Sequence, residues 1–205
     1  HAYKGEYVSS GQLAQEAVQI ELDILKKPIG IQDQYAVAFG GLRTFVFKEE
    51  VTTQKVEIPE SVREDFNNSL MLFYTGGTRK SEEVLSSFRV ADSMDALDKK
   101  KELVTRGVSA LESGNLGDFG RLLGDSWTTK RTANTKTTND EIDLMYSRVM
   151  EAGALGGKVI GAGGGGFMLA MFPANKRASV RESLKDYKEM PFRFTDSGSR
   201  ILLNL

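Results

Sequence analysis

Apolar residues near the start of the chain recur at the spacing of an amphipathic helix. Four of them lie three or four positions apart, namely Leu13, Ala17, Ile20 and Ile24. Ser9 and Gln12 stand three positions apart, the spacing at which such a pair caps a helix N-terminus. Pro28 cannot continue a helix because its nitrogen carries no hydrogen. The pattern therefore predicts a helix over residues 9–27.

The next segment, "GIQDQYAVAFGG", lies between Gly30 and the pair Gly40–Gly41. Glycines at both ends favour a turn, so the sequence predicts a tight loop that presents Asp33. The segment "LRTFVF" follows, and its Phe45 and Phe47 alternate with other residues as in a half-buried strand.

The later part of the chain alternates apolar strand patterns with helical patterns. After Ser69 come a strand in "LMLFY", helices up to about Trp127, a helix capped by Thr138 and Glu141, strands in "KVIGAG" and "FMLAMF", a polar helix and a last strand in "FRFTDSGSRILL". This order is typical of a ferredoxin-like layer of helices on an antiparallel sheet, so the predicted fold class is α+β. The polar residues 128–140 predict a mobile loop.

Composition narrows the functional classes. The chain has 205 residues, with 27 Lys and Arg against 28 Asp and Glu, and this balance gives no electrostatic footprint for nucleic acid. It contains no cysteine and one histidine, His1, which excludes thiolate sites, histidine zinc sites and a Ser-His-Asp triad within this sequence. No apolar run approaches the ~18 residues of a membrane span. We therefore expect a cytoplasmic protein with no nucleic-acid or membrane partner.

Glycine is concentrated in the segment "GGKVIGAGGGGFMLAMFP", which starts at Gly156. Gly161, Gly163 and Gly166 match the G-x-G-x-x-G pattern of dinucleotide-binding folds. In those folds the glycines open a helix, whereas here they precede an apolar strand pattern, so the sequence argues against a dinucleotide site. Two interpretations remain. The small residues either let two backbones approach each other or pack bare amides against a phosphate group.

Two motifs resemble those of known kinases. The segment "KVIGAGGGGFML" resembles the third, C-terminal glycine motif of the GHMP kinases, and "GIQDQYAVAFGG" resembles the G-x-x-D-Q segment of that family's sugar-kinase branch. With "LMLFYTGGTRKSEEVL" between them, the motifs are most similar to the heptose 7-phosphate kinases of the family. The resemblance covers essentially the whole chain, and it implies ATP-dependent phosphorylation of a sugar or sugar phosphate.

The resemblance also implies a domain organisation. Residues 1–68 would be the remnant of an N-terminal domain with the ribosomal-protein-S5-like fold, and residues 69–205 would be a ferredoxin-like C-terminal domain. Family members carry their principal ATP loop, and usually their magnesium ligands, upstream of the position that matches His1. We therefore expect ATP and Mg²⁺ as cofactors, a chain that is inactive on its own, and self-association or a homodimer.

The resemblance assigns roles to residues in both motifs and between them. Asp33 would be the general base. The substrate-binding residues would be Gln32, Gly40 and Gly41. Arg79 and Lys80, at the predicted start of a helix after a strand, could add charge and amide contacts to the substrate phosphate. The phosphate-binding glycine motif would comprise Lys158, Gly161, Gly163, Gly164, Gly165 and Gly166. No residue of this chain is assigned as a metal ligand.

Each assignment has a purely structural alternative. Asp33 could satisfy backbone amides in a loop, and Gly40–Gly41 could be a plain turn. Arg79 and Lys80 could be ordinary surface charges, and Lys158 could be a strand-edge lysine whose ammonium group reaches water. The whole chain could also be a non-catalytic ligand-sensing or interaction module derived from a kinase. An RNA-binding domain of similar topology has less support, because its aromatic strand motif is absent.

Overall fold

The computed structural model describes residues 1–77 and 94–202, which fall into two units. The first unit comprises His1–Val56 and Phe194–Leu205, and the second comprises Glu57–Arg193. Each unit combines helices with short antiparallel strands, which confirms the predicted α+β class. The ferredoxin-like and S5-like descriptions stay predictions. None of the helices in the described ranges has the length and apolar character that a membrane span requires.

Helix α1 (Ser10–Val18) starts where the sequence predicts it. The Ser9 hydroxyl accepts a hydrogen bond from the Gln12 amide at 3.1 Å, which satisfies one of the free amides of the first turn. The Gln12 side chain donates to Glu16 instead of returning to Ser9, so only half of the capping box forms. The backbone then widens into a π-helical segment, Gln19–Ile24, and the helix ends before the predicted position.

The prediction of a loop that presents Asp33 is wrong, because these residues form helix α2 (Gln32–Phe39). No glycine or proline interrupts the eight residues, and the helix buries Tyr35 and Ala38 against α1. The framing glycine acts at the end of the helix instead: Gly40 is the residue at which α2 ends, and it has a φ of +63°, which favours glycine. Asp33 therefore lies in the first turn of a helix.

An antiparallel hairpin of β1 (Arg43–Val46) and β2 (Thr52–Lys55) follows α2. Strand β1 confirms the strand predicted in "LRTFVF". The Tyr35 ring of α2 packs edge-on against Phe45 at 6.1 Å and against Phe47 at 5.5 Å between ring centroids. Aromatic pairs of this geometry add about 0.5–1.5 kcal/mol beyond the area they bury, so they fix the hairpin to the helix.

The prediction of a last strand in "FRFTDSGSRILL" is wrong for the described residues, which end at 202. This segment contacts α2 and the residues after it through separate backbone hydrogen bonds. The Gly41 amide donates to the Thr195 carbonyl at 3.0 Å, and the Ser199 amide donates to the Val37 carbonyl at 3.1 Å. Bonds to the end of a helix cannot form the regular ladder of a strand.

A three-stranded antiparallel sheet is the framework of the second unit. Its strands are β3 (Leu70–Tyr74), β4 (Gly156–Val159) and β5 (Phe167–Met171), in the order β3-β5-β4. Strands β3 and β5 lie where the apolar patterns predict them, whereas β4 shares only Lys158 and Val159 with the strand predicted in "KVIGAG". Five helices complete the described part of this unit: α3 (Glu60–Ser69), α4 (Met94–Glu112), α5 (Leu116–Ala133), α6 (Asp140–Glu151) and α7 (Arg177–Ser183).

The prediction of a mobile loop over residues 128–140 is wrong, because helix α5 continues to Ala133. Trp127 is fully buried in the core of the unit, and Thr129 is also buried. This burial outweighs the modest helix propensity of the threonines in the segment. The 3₁₀ turn Thr135–Thr137 follows and leads into α6.

The residue that caps helix α6 differs from the predicted one. The Asn139 side chain accepts a hydrogen bond from the Ile142 amide at 2.9 Å. Thr138 instead donates its hydroxyl hydrogen to the Asp143 carboxylate at 2.7 Å. The predicted capping box of Thr138 and Glu141 is therefore wrong, because asparagine is an equally good cap and stands one residue closer to the helix.

Helix α5 approaches strand β4 so closely that only glycine fits between them. A Cβ atom on Gly156 would lie 2.0 Å from the Gly120 carbonyl oxygen and 2.8 Å from the Gly124 nitrogen. A Cβ atom on Gly120 would lie 2.5 Å from the Cβ of Leu155. Two of these three neighbours are backbone atoms, which cannot rotate away, so the glycines set the distance between helix and sheet.

We expect Gly156→Ala to lower the free energy of unfolding by about 1–3 kcal/mol, the usual cost of overpacking a core. Urea denaturation of the two proteins measures this difference. Gly77→Ala is the matched control, because Gly77 lies in the same unit and a Cβ atom there meets nothing within 4 Å. Equal unfolding midpoints for both variants would contradict the close approach of α5 to β4.

Candidate functional site

The exposed carboxylate of Asp33 lies in the first turn of α2. Its Oδ1 accepts a hydrogen bond from Nε2 of Gln32 at 3.4 Å. Both side chains are exposed. Their hydrogen bond brings together two of the residues that the sequence analysis assigns to the site. An exposed carboxylate can accept a proton from a substrate hydroxyl.

Gln34 is the residue of this helix that the sequence analysis missed. Its side chain is buried, and its Nε2 donates to the Glu21 carboxylate at 3.0 Å, which ties the start of α2 to the π-helical segment. The buried Oε1 of Gln34 has no hydrogen-bond partner among the described residues. The sequence offers one signal for this role, because Gln34 is the glutamine of the G-x-x-D-Q segment.

Gly40 and Gly41 both have positive φ angles, +63° and +68°. A Cβ atom on Gly40 would lie 2.2 Å from the Gly198 nitrogen, so the chain's own backbone fills the space beside it. The guanidinium of Arg43 donates to the Gly40 carbonyl at 3.1 Å. These contacts explain why glycine stands at both positions without reference to any ligand.

The segment between β4 and β5 is held by hydrogen bonds to three parts of the second unit. The Gly164 amide donates to the Thr137 carbonyl at 2.7 Å, and the Gly166 amide donates to the Gly77 carbonyl at 2.8 Å. The Gly166 carbonyl accepts from the Thr75 amide at 3.0 Å. All five glycines from position 161 to position 166 have φ values between +70° and +155°, which only glycine adopts readily. The segment is therefore an ordered turn into β5 that does not open a helix, as the sequence indicates.

Lys158 lies on β4, and β4 is an outer strand of the three-stranded sheet. Its ammonium group donates to the Ser126 hydroxyl of α5 at 3.0 Å. Burial lowers the pKa of Lys158, and the nearby charge of Lys100 on α4 lowers it further. The ammonium group thus lies between β4 and α5 and is not fully exposed as on an ordinary strand edge.

Lys130 on α5 is a second lysine at this place, and the sequence analysis missed it. Its Nζ donates to the Gly161 carbonyl at 2.6 Å and to the Val159 carbonyl at 3.5 Å. Burial lowers the pKa of Lys130 to about 8, with further contributions from the charges of Lys158 and Lys100. Lys130 follows Ser126 by four positions and therefore shares its helix face, but this signal is visible only once α5 is known to continue past residue 127.

The remaining predicted residues divide between the two units or lie elsewhere. Asp33 and its neighbours belong to the first unit, whereas Lys158 and the glycine segment belong to the second. Arg79 and Lys80 lie outside the described residues. Within the described ranges, no group of three or more His, Cys, Asp or Glu side chains could hold a metal ion.

Comparisons with known proteins find sequence similarity to kinases. Residues 108–189 match the family model described as GHMP kinases C terminal. The chain is 28% identical over 202 residues to the D-glycero-alpha-D-manno-heptose 7-phosphate kinase of Campylobacter jejuni, covering 95% of this chain and 58% of that protein. It is 27% identical over 205 residues to the galactokinase of Pyrococcus furiosus, covering 83% of this chain and 56% of that protein.

The chain is also similar in three dimensions to a solved structure. The chain superimposes with a TM-score of 0.73 on the crystal structure of a Campylobacter jejuni protein described as a sugar kinase, at 27% identity, covering 96% of this chain and 58% of that one. The chain thus spans somewhat more than half the length of the relatives that it matches. Residues 108–189 are thus similar to the C-terminal domain of GHMP kinases, and the relatives that the chain matches include sugar and sugar-phosphate kinases.

Proposed function

We propose that the full-length protein transfers the γ-phosphoryl group of ATP to a hydroxyl group of a sugar or sugar phosphate, and that heptose 7-phosphate is its substrate. The similarity to a heptose 7-phosphate kinase over 95% of this chain carries the proposal, because that span includes residues of both units. The similarity to a galactokinase supports the broader class of sugar substrates.

In this proposal Asp33 is the catalytic residue that takes the proton from the attacking hydroxyl. Phosphoryl transfer needs such an acceptor close to the nucleophile, and a carboxylate in this role typically contributes ~10² to 10⁴ in rate. The exposed position of Asp33 at the start of α2 supports the role, because a substrate can reach it. Gln32 lies beside it and would bind the sugar, with Gly40 and Gly41 at the other end of the same helix.

The substrate phosphate and ATP require cationic and amide donors. Arg79 and Lys80 would bind the phosphate of the sugar, and Lys158 with the glycine segment would support the phosphate groups in transfer. ATP supplies the phosphoryl group when it is bound. The described residues offer no acidic cluster of the kind that holds Mg²⁺, so we assign no step in this chain to the metal.

We expect Asp33→Asn to lower kcat by at least ~100-fold, because the amide cannot accept the proton. Substrate binding and the unfolding midpoint should stay close to the native values, since Asp33 is exposed. Steady-state kinetics of the full-length protein with heptose 7-phosphate and ATP measure the effect. Asp23→Asn is the control, because Asp23 is an exposed carboxylate of the same unit. Near-native turnover of Asp33→Asn would overturn the assignment.

Replacing Arg79 and Lys80 together with glutamine should raise KM for heptose 7-phosphate far more than KM for ATP. The reason is that a phosphate group loses two charge-assisted hydrogen bonds, while the nucleotide loses none. Lys99→Gln with Lys101→Gln is the matched control, because both lysines are exposed on α4. An equal rise in both KM values, or none, would contradict the role of Arg79 and Lys80 in binding the substrate phosphate.

The same assays separate catalysis from a non-catalytic module. A kinase converts heptose 7-phosphate and ATP to products at a rate that depends on Asp33. A ligand-sensing module derived from a kinase would bind the sugar phosphate in calorimetry without turnover in the full-length protein, and that result would replace the proposal.

A further inference from the structure

Lys130 connects helix α5 to the point where the chain leaves strand β4. Its Nζ lies 3.5 Å from the carbonyl oxygen of Val159, the last residue of β4, and 2.6 Å from that of Gly161, the first glycine of the segment. A single ammonium group therefore holds both the end of the strand and the start of the glycine segment. The shorter bond joins a charged donor to a carbonyl oxygen, and such charge-assisted bonds are stronger than neutral ones.

Thr137 holds the same segment from its other side. The Gly164 amide donates to the Thr137 carbonyl at 2.7 Å. A Cβ atom on Gly163 would lie 2.9 Å from the Cβ and the carbonyl oxygen of Thr137, so the segment packs directly on this residue. Thr137 is itself buried and belongs to the 3₁₀ turn that follows α5. Thr75 and Gly77 hold the end of the segment at Gly166, Thr137 holds its middle, and the Lys130 side chain holds its start at Gly161.

We infer that Lys130 is a positioning residue, whose charged ammonium group fixes the glycine segment in the conformation needed for phosphoryl transfer. The inference rests on the proposed function in one respect, the role of the segment in phosphoryl transfer. The geometric part, that the charge of Lys130 holds the Gly161 carbonyl, stands independently.

The charges around Lys130 contribute to lowering its pKa. Lys100 on α4 and Lys158 on β4 both lower its pKa, after the larger effect of burial. Other titratable groups on neighbouring elements include Lys136 in the 3₁₀ turn and, on α6, Tyr146, whose pKa burial raises, and Asp143, which pairs with Arg131 at 3.5 Å. On α5 itself, Asp125 and Arg131 are the charged residues within one turn and a half, while β5 carries no titratable residue.

A rise in pH has opposite effects on the free energy of unfolding and on the hydrogen bond from Lys130 to Gly161. The pKa of Lys130 falls from its ordinary 10.5 to about 8, so the folded state binds fewer protons than the unfolded state between these values. The contribution of Lys130 to the free energy of unfolding therefore increases as the pH rises from about 8 to 10.5. The bond to Gly161 changes in the opposite direction, because a neutral amine is a weaker donor than an ammonium group.

Carbon-detected NMR tests the geometric part directly. Labelling glycine with ¹³C at the carbonyl and alanine with ¹⁵N gives one signal for each Gly-Ala pair, and the sequence contains two, Gly153–Ala154 and Gly161–Ala162. We expect the Gly161 signal of the 205-residue chain to shift with a midpoint near pH 8, while the Gly153 signal serves as internal reference. Carbon detection avoids the fast amide exchange of alkaline solution.

Two variants identify the titrating group. Lys130→Met should abolish the transition near pH 8, with the Gly161 signal at its alkaline position throughout. Lys158→Met should keep the transition and move its midpoint to higher pH, because a like charge has been removed. Lys176→Met, at an exposed lysine of the same unit, should leave the curve unchanged. A Gly161 signal that is independent of pH, or a transition that survives in Lys130→Met, would overturn the inference.

The kinetic part is tested in the full-length protein. We expect kcat/KM to fall above pH 8 while the unfolding midpoint does not fall, and this combination separates local loosening from loss of the fold. Lys130→Arg should remove the alkaline decline, because arginine stays charged up to pH ~12. A normal NMR transition without any kinase activity would contradict the proposed function alone. Activity whose alkaline decline is identical in Lys130→Arg would contradict the role of Lys130 in transfer.

Discussion

The close approach of helix α5 to strand β4 is the constraint on which the second unit depends. Gly120 and Gly124 on the helix face Gly156 on the strand, and the backbones come nearer than any side chain would allow. Because helix and strand are both stiff, this contact also fixes the side chains further along them. It places Ser126 beside Lys158, and it brings Lys130 to the Gly161 carbonyl one turn later. Three glycines thus determine where two lysines can reach.

The charged form of Lys130 is costly here, because burial and the charges of Lys158 and Lys100 all lower its pKa. Hydrogen bonds to a hydroxyl and to two carbonyls offset part of this cost. Natural proteins tolerate such a conflict mainly where a conformation or a charge is needed for function. The conflict here coincides with the segment that carries five glycines of positive φ, and both features belong to the same turn from β4 to β5.

In the first unit, packing holds a short helix and an exposed carboxylate at a defined place. Helix α2 is only eight residues long, too short to be stable by itself, and its stability comes from packing. Tyr35 anchors it to the aromatic rings of the hairpin, while Gln34 anchors it to Glu21. Backbone contacts from residues 195–199 hold its C-terminal end. Asp33 is therefore presented by a firmly supported turn.

Local pattern determined the α+β class, strands β1, β3 and β5, part of β4 and the cap at Ser9, because each depends on side chains adjacent in sequence. Pattern could not show that residues 32–39 are helical or that α5 passes residue 128, since the burial of Tyr35 and Trp127 decides both, and burial depends on distant residues. The prediction of a last strand was wrong for the same reason, because the backbone partners of that segment are the end of α2 and the residues beyond it. The sequence singled out Asp33, Lys158 and the glycines by motif. The motif also contains Gln34, but only the tertiary structure shows that its side chain binds Glu21. Lys130 lies in no motif, and only its contact with Gly161 distinguishes it.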